Sequence, residues 1–156
     1  MTRVIRQVDR NEAPYLYIRN AGFALRQEFR RRKLGVRSVA IELFEAARTK
    51  QFHAVEVDAI GDYFSLAPEN PASEYSGYLV WPQLGFDGPV PKEAISLHPE
   101  LSRFSSVSEV LASTNGLATW LKKGCSALLS FELAETAPSW VALNRYMTEN
   151  GIEVRK

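Results

Sequence analysis

The residue types best suited to chemistry lie in a basic, glycine-containing segment at positions 30–38. It reads Arg-Arg-Arg-Lys-Leu-Gly-Val-Arg-Ser, and a helical pattern of apolar residues follows it. Backbone N–H groups of such a loop point into one concavity, and the N-terminus of the next helix adds a partial positive charge. The segment therefore predicts an anion site suited to a diphosphate, although a solvated strand end is the alternative interpretation of its basic run. The residues assigned to the site are Arg32, Lys33, Leu34, Gly35, Val36, Arg37 and Ser38.

Carboxylates and tyrosines elsewhere in the chain are candidates for proton transfer. Glu28, Glu56 and Asp58 have the chemistry of a general base that deprotonates an amine, and surface or edge-strand positions are the alternative for each. Tyr75 and Tyr78 belong to an aromatic cluster that is interpreted first as core and second as the lining of a pocket.

Other catalytic chemistry has little support in the residues. His53 and His98 stand alone, and Cys125 is the only cysteine. These residues offer no metal-ligand spacing and no Ser-His-Asp arrangement. Cys125 fits a small apolar core position, and a single cysteine suits a reducing compartment.

A strand, a helix and a second strand in succession are needed to position the basic segment. Alternating apolar residues predict strands over residues 2–8 and 15–18 and from Phe23 to Phe29. Helical spacing predicts a helix from Ser38, taken as its N-cap, to Lys50. The run Ala54–Ala59 predicts the next strand, so we expect a βαβ unit in which the strands from Phe23 and Ala54 are parallel neighbours. The apolar stripe of the helix consists of Val39, Leu43, Ala46 and Ala47, widened by Ile41 and Phe44.

The second half of the chain is predicted to alternate short elements with turns. Residues 61–76 predict a long surface loop. Helices are expected at 107–112 and 117–122, and a strand at 127–133. A last helix begins near Pro138, with an apolar face of Trp140, Leu143 and Met147. Residues 92–101 carry only a weak pattern.

Two motifs, standing in order along the chain, resemble those of the GNAT family of N-acetyltransferases. Arg32 and Gly35 match the family's Arg-x-x-Gly loop between a strand and a helix. The sequence Gly-Tyr-Leu-Val-Trp-Pro-Gln-Leu-Gly-Phe at 77–86 is similar to a later motif, an aromatic-rich helix that ends in a Leu-Gly-Phe turn. The resemblance covers about residues 23–86. Arg37 replaces a small residue of the first motif, and Trp81 stands where the family commonly has a tyrosine acid.

The resemblance implies an α/β fold with a GNAT-like mixed, mainly antiparallel sheet flanked by helices. It implies acetyl-CoA as co-substrate, lying along a strand through Leu25 and Gln27 with its diphosphate on residues 32–38. It implies Glu28 as the base. Since Trp81 cannot supply the proton, it implies Tyr78 as a substitute acid, with Tyr75 as the alternative. The acceptor would be an amine that the sequence does not name, and no metal is expected.

Two other functions stay open from the residues alone. A non-catalytic GNAT-like module that binds a partner protein fits Trp81 and the short N-terminal part. A nucleic-acid-binding domain would use a basic cluster, with salt-dependent binding. The net charge of +1 argues against a surface devoted to nucleic acid. The cluster consists of Arg26, Arg30, Arg31, Arg32, Lys33 and Arg37.

Length and composition predict one ordinary domain. The chain has 156 residues, of which 46% are hydrophobic and 24% charged, a balance typical of globular proteins. We expect a GNAT-like core over about residues 1–90 and a C-terminal α/β elaboration over about 91–156. No apolar run reaches the ~18 residues that span a bilayer, and no signal peptide is visible. A soluble cytoplasmic protein without a membrane partner is therefore expected.

Overall fold

The computed structural model describes residues 2–10, 13–22, 33–66 and 76–154. The chain divides into two compact units. The first comprises Met1–Val57 together with Phe131–Lys156, and the second is Asp58–Ser130. The end of the chain thus belongs to the same unit as its beginning.

A four-stranded mixed sheet contains the strands of the chain that the structure describes. They are β1 (Thr2–Arg10), β2 (Ala13–Gly22), β3 (Ala54–Ala59) and β4 (Ala127–Glu132), in the spatial order β1-β2-β3-β4. β1 and β2 form an antiparallel hairpin, whereas β2 and β3 are parallel. The predicted α/β class with a mixed sheet flanked by helices is confirmed.

The parallel neighbour of β3 corrects one expectation. The sequence predicted the strand from Phe23 in this position, but β2 occupies it, with Tyr17 opposite Ala54 and Asn20 opposite Val57. The predicted strand from Phe23 to Phe29 itself lies outside the described residues. Alternation of apolar residues identifies a strand, but it does not specify which earlier strand a crossover connection returns to.

Helix α1 (Leu34–Thr49) confirms the predicted helix, but it begins at Leu34 rather than after Ser38. Val39, Leu43 and Ala46 are buried as the apolar stripe predicted. Ile41, which was assigned to the same stripe, is 50% exposed. The reason is geometric, since a residue two positions after Val39 lies about 200° around the helix from it.

The described part of the second unit is mainly helical. Its α-helices are α2 (Gly77–Gln83), α3 (Lys92–Leu97), α4 (Val107–Ala112) and α5 (Gly116–Lys123). Short 3-10 helices cover Phe64–Leu66 and Pro99–Arg103. The predicted helices at 107–112 and 117–122 are confirmed. The weak pattern at 92–101 did not reveal α3, in which Ala94 is the buried residue.

Helix α6 (Pro138–Glu149) returns to the first unit and begins where the sequence predicted. The Trp140 ring stacks on Phe44, with ring centroids 5.4 Å apart, and meets Phe131 edge-on at 4.8 Å. Leu143 on the same helix is fully buried. Across the described ranges, no helix has the length and apolar content that crossing a bilayer requires.

Candidate functional site

The N-terminus of α1 is the part of the predicted anion site that the structure describes. Because α1 ends at Thr49 and β3 begins at Ala54, α1 runs back along the sheet, antiparallel to β2 and β3. Its first turn therefore lies toward the carboxyl ends of these two parallel strands. Ligands of open α/β sheets commonly bind outside the carboxyl ends of the strands.

The first turn of α1 has exposed positive character. Lys33 precedes the helix in a left-handed conformation with φ 60°, and its side chain makes no capping hydrogen bond. The backbone N–H of Arg37 donates to the Lys33 carbonyl oxygen at 3.1 Å. By position, the N–H groups of Leu34, Gly35 and Val36 have no acceptor within the helix. No acidic residue occupies the first turn, so the helix dipole is not offset there.

The helix start changes the role of two residues in the segment predicted to hold an anion. Ser38 was expected to cap the helix, but it is the fifth helical residue and is exposed. The Arg37 amide is occupied by the first helical hydrogen bond. The sequence did not show the true start of α1 because its first turn precedes the apolar stripe, and helices are recognised from the spacing of their apolar residues. The amides left for an anion are those of Leu34, Gly35 and Val36.

The charged side chains around this turn have different roles. Lys33 Nζ donates to the carbonyl oxygen of Asn150, the residue that follows α6. This contact places a cation at a helix C-terminus, where the dipole favours it. Of the basic residues predicted for the anion site, the structure describes Lys33 and Arg37. Arg37 is exposed and makes no contact of this kind with a helix end.

Several predicted site residues lie outside the described residues. These are Leu25 and Gln27, predicted to line the cofactor, Glu28, predicted as the base, and Arg32 of the loop motif. Tyr75, the second candidate acid, is also outside. Their assignments stay predictions.

A buried polar pair within the first unit was missed by sequence reasoning. Asn20 on β2 is 4% exposed and Glu42 on α1 is 7% exposed. Asn20 Nδ2 donates to Glu42 Oε2 at 3.2 Å, which ties the helix to the parallel strand pair. The sequence did contain a signal for the burial of Glu42. This residue follows Val39 by three positions and adjoins Leu43, so it lies on the apolar face of the helix.

Tyr78 lies in the core of the second unit. Its side chain is fully buried, and its hydroxyl donates to the Leu121 carbonyl oxygen at 2.9 Å. The Trp120 indole N–H in turn donates to the Tyr78 carbonyl oxygen at 2.8 Å. Burial, followed by the charges of Asp62 and Tyr63, raises the pKa of Tyr78 to about 12. These contacts join α2 to α5 and give Tyr78 a structural role.

The second motif forms the predicted helix and turn. Helix α2 ends at Gln83, and Leu84 and Gly85 lead into Phe86. Gly85 has φ 92°, a conformation that favours glycine over residues with a Cβ. Trp81, at the position of the family's tyrosine acid, is 9% exposed and meets Phe86 edge-on at 5.1 Å. The helix and its Leu-Gly-Phe turn are confirmed, with Trp81 packed against that turn.

Replacing Tyr78 by phenylalanine is expected to lower the free energy of unfolding by about 1 kcal/mol, because the Leu121 carbonyl loses its donor. A pKa raised from 10.0 to about 12 in the folded state means that the unfolded chain loses this proton first. The wild type should therefore lose stability as pH rises through this window, and the variant should lose less. Urea unfolding across that pH range measures both effects.

The control for this substitution is Tyr63→Phe, because Tyr63 is 49% exposed. We expect it to change the free energy of unfolding by less than about 0.5 kcal/mol. Equal stability and equal alkaline profiles in wild type and Tyr78→Phe would contradict the structural role.

The remaining candidates for chemistry do not form a centre in the described ranges. No group of three or more His, Cys, Asp or Glu side chains there is placed to hold a metal ion. Burial raises the pKa of the Cys125 thiol, which disfavours the reactive thiolate.

Comparison of the chain with protein-family models, with curated proteins and with solved structures finds no match. A functional assignment therefore depends on the residues and geometry of the chain itself.

Proposed function

We propose that the chain is a GNAT-like domain that binds acyl-CoA, with its diphosphate at the N-terminus of α1. The observation that carries the proposal is the β2–α1–β3 unit, in which a helix joins a parallel strand pair. The first turn of this helix holds no acidic residue, and the side chain of its N-cap residue, Lys33, makes no capping hydrogen bond. The motif residue Gly35 lies within that first turn. The same order of strand, Arg-x-x-Gly segment and helix underlies the resemblance to the GNAT family.

The chemistry of the α1 N-terminus supports a diphosphate ligand. Three backbone N–H groups, from Leu34, Gly35 and Val36, are available at the positive end of a 16-residue helix. The helix dipole places about half a positive charge there. Arg37 adds an exposed guanidinium suited to phosphate oxygens. A carboxylate in the first turn would oppose such a ligand, and the sequence has none there.

Acetyl transfer to an amine is the enzymatic form of this proposal. The amine nitrogen would attack the thioester carbonyl carbon and Glu28 would take the amine proton. The C–S bond would break, and CoA would leave as the thiolate, which takes a proton from solvent. We do not assign the proton that the leaving sulfur receives to Tyr78, because its hydroxyl is buried and bonded to Leu121. The acceptor in this form is an amine. We place the protein in the cytoplasm, because a chain with a single cysteine has no internal disulfide and suits a reducing compartment.

A non-catalytic interaction module is the second candidate. The burial of Tyr78 and the packing of Trp81 against Phe86 favour it, because neither motif position then offers a proton donor to a thiolate. In this form the domain binds a partner protein, with or without CoA at α1.

The proposal is tested by Gly35→Asp, which places a carboxylate beside the three free amides. We expect CoA affinity to fall at least about tenfold by calorimetric titration, a loss of about 1.4 kcal/mol. The same variant should gain about 0.3 to 1 kcal/mol of folding stability, because an acid near a helix N-terminus is favourable. Lower affinity with equal or higher stability separates loss of the site from loss of the fold.

Two controls sharpen this test. Gly35→Asn introduces a side chain of nearly the same size as that of Gly35→Asp but without the negative charge, so this variant should retain most of the CoA affinity. Pantetheine lacks the diphosphate, so its binding should differ little between wild type and Gly35→Asp. Unchanged CoA affinity in Gly35→Asp would show that the cradle is misplaced. Failure of wild type to bind CoA at millimolar concentration would remove the acyl-CoA proposal and leave the interaction module.

A further inference from the structure

We propose a second ligand site in the first unit, at the opposite end of α1, for a small organic cation that carries an apolar body. The site is a cleft of about 410 Å³, within the size range of small-molecule pockets. Its aromatic and acidic residues are Tyr15, Phe52, His53, Glu132 and Glu135, and Lys50 also lines it.

The cleft is built by elements that meet at the C-terminal end of α1. Lys50 is the residue that ends the helix, and Phe52 and His53 follow it as the chain enters β3. Tyr15 comes from β2, and Glu132 is the last residue of β4. Strands and a helix end, rather than one loop, therefore supply the walls.

Backbone hydrogen bonds hold the aromatic wall in place. The Tyr15 and His53 rings stack with centroids 4.6 Å apart and an interplanar angle of 22°. The His53 N–H donates to the Leu16 carbonyl oxygen at 2.8 Å, and the His53 carbonyl oxygen accepts from the Leu133 N–H at 2.9 Å. Because both backbone groups of His53 are bonded to neighbouring chain segments, the stacked rings form a preorganised apolar surface.

The charges around the cleft favour a cation. Glu132 and Glu135 are both exposed, and the negative end of the α1 dipole faces this end of the unit. Lys50 is the opposing charge, and neither glutamate is in an ion pair with a basic side chain among the described residues. Aromatic faces add cation–π attraction for an ammonium or guanidinium group. The apolar lining, which includes Ala47 and Leu133, suits a ligand with a hydrocarbon body.

This site is independent of the acyl-CoA proposal. A helix of 16 residues is about 24 Å long, so the cleft and the first turn of α1 lie at opposite ends of that length. The cleft is therefore separate from the diphosphate site proposed at the first turn of α1.

The test uses three probes with the same ring and different charge, phenethylamine, 2-phenylethanol and phenylacetate, titrated against the full chain. Binding is followed by calorimetry and by amide chemical shifts of residues around Tyr15 and His53. We expect phenethylamine to bind at millimolar or lower concentration, at least about fivefold tighter than 2-phenylethanol, and phenylacetate to bind most weakly. Shifts should concentrate at the cleft.

Variants assign the effect to named groups. Glu132→Gln with Glu135→Gln should weaken phenethylamine binding at least about fivefold and leave 2-phenylethanol binding unchanged. Tyr15→Leu should weaken both probes. The control is Glu149→Gln with Glu153→Gln, two exposed acids of the same unit outside the cleft. The proposal is overturned if wild type does not bind phenethylamine, if phenylacetate binds as tightly, or if the control pair has the same effect as the cleft pair.

Discussion

Replacing Trp120 by alanine is expected to lower the free energy of unfolding by about 3 to 5 kcal/mol. Trp120 is fully buried in the second unit, and its indole N–H donates to the Tyr78 carbonyl oxygen at 2.8 Å. The substitution removes a large buried ring, leaves a cavity, and deprives a buried carbonyl of its donor. Urea unfolding followed by far-ultraviolet circular dichroism measures the loss.

A matched pair of Trp→Phe variants separates the hydrogen bond from the ring. Trp140 also donates its indole N–H to a backbone oxygen, that of Ala134 at 3.1 Å, but this bond is exposed. Trp120→Phe should cost at least about 1 kcal/mol more than Trp140→Phe, because water replaces the lost donor only at the exposed site. Equal losses for the two variants would mean that the buried bond to Tyr78 adds nothing.

Gly116→Ala is expected to destabilise the protein by about 2 kcal/mol or more, although alanine is the better helix former. A Cβ at Gly116 would lie 2.2 Å from the Val110 carbonyl oxygen and 2.4 Å from that of Leu111. These are backbone atoms at the α4–α5 junction, so relief requires moving a helix rather than rotating a side chain. Overpacking of this kind typically costs about 1 to 3 kcal/mol and sometimes more, which exceeds the helix propensity gained at a terminal position.

Gly151→Ala is the control for this steric effect. A Cβ at Gly151 would meet no atom within 4 Å, but the residue has φ 58°. Its cost should be only about 1 kcal/mol, from the left-handed conformation. If Gly116→Ala changes the free energy of unfolding no more than Gly151→Ala does, the result would contradict the close contact between the start of α5 and the end of α4. The same urea titrations provide the comparison.

The sequence by itself determined the elements whose burial is periodic. Val39, Leu43 and Ala46 recur at helical spacing, and this identified most of α1. The run at Ala54–Ala59 identified β3 at its observed bounds, because its apolar residues are interrupted only by Glu56 and Asp58, which are the two residues of the strand that are less buried. The Leu-Gly-Phe turn after α2 was expected from the resemblance of residues 77–86 to a GNAT motif, and the structure shows Gly85 there with a positive φ that few other residues adopt.

Elements without such periodicity were beyond the reach of the sequence. The first turn of α1 precedes the apolar stripe, so the sequence did not show that the helix starts at Leu34, and Ser38 was wrongly taken as its N-cap. Helix α3 buries Ala94 in six residues, which leaves no repeating pattern to detect. Local patterns report burial, and they fail where a segment is held mainly by backbone hydrogen bonds.

The tertiary structure alone decided which distant groups meet. It paired β3 with β2 rather than with the segment from Phe23, because strand pairing depends on the path of the crossover and not on local alternation. It bonded the Tyr78 hydroxyl to Leu121, 43 positions away, so a residue with catalytic chemistry became part of a core. It also brought Tyr15 against His53 beside two glutamates. Side chains far apart in the chain become a site only when strand order and helix direction place them at the same end of the sheet.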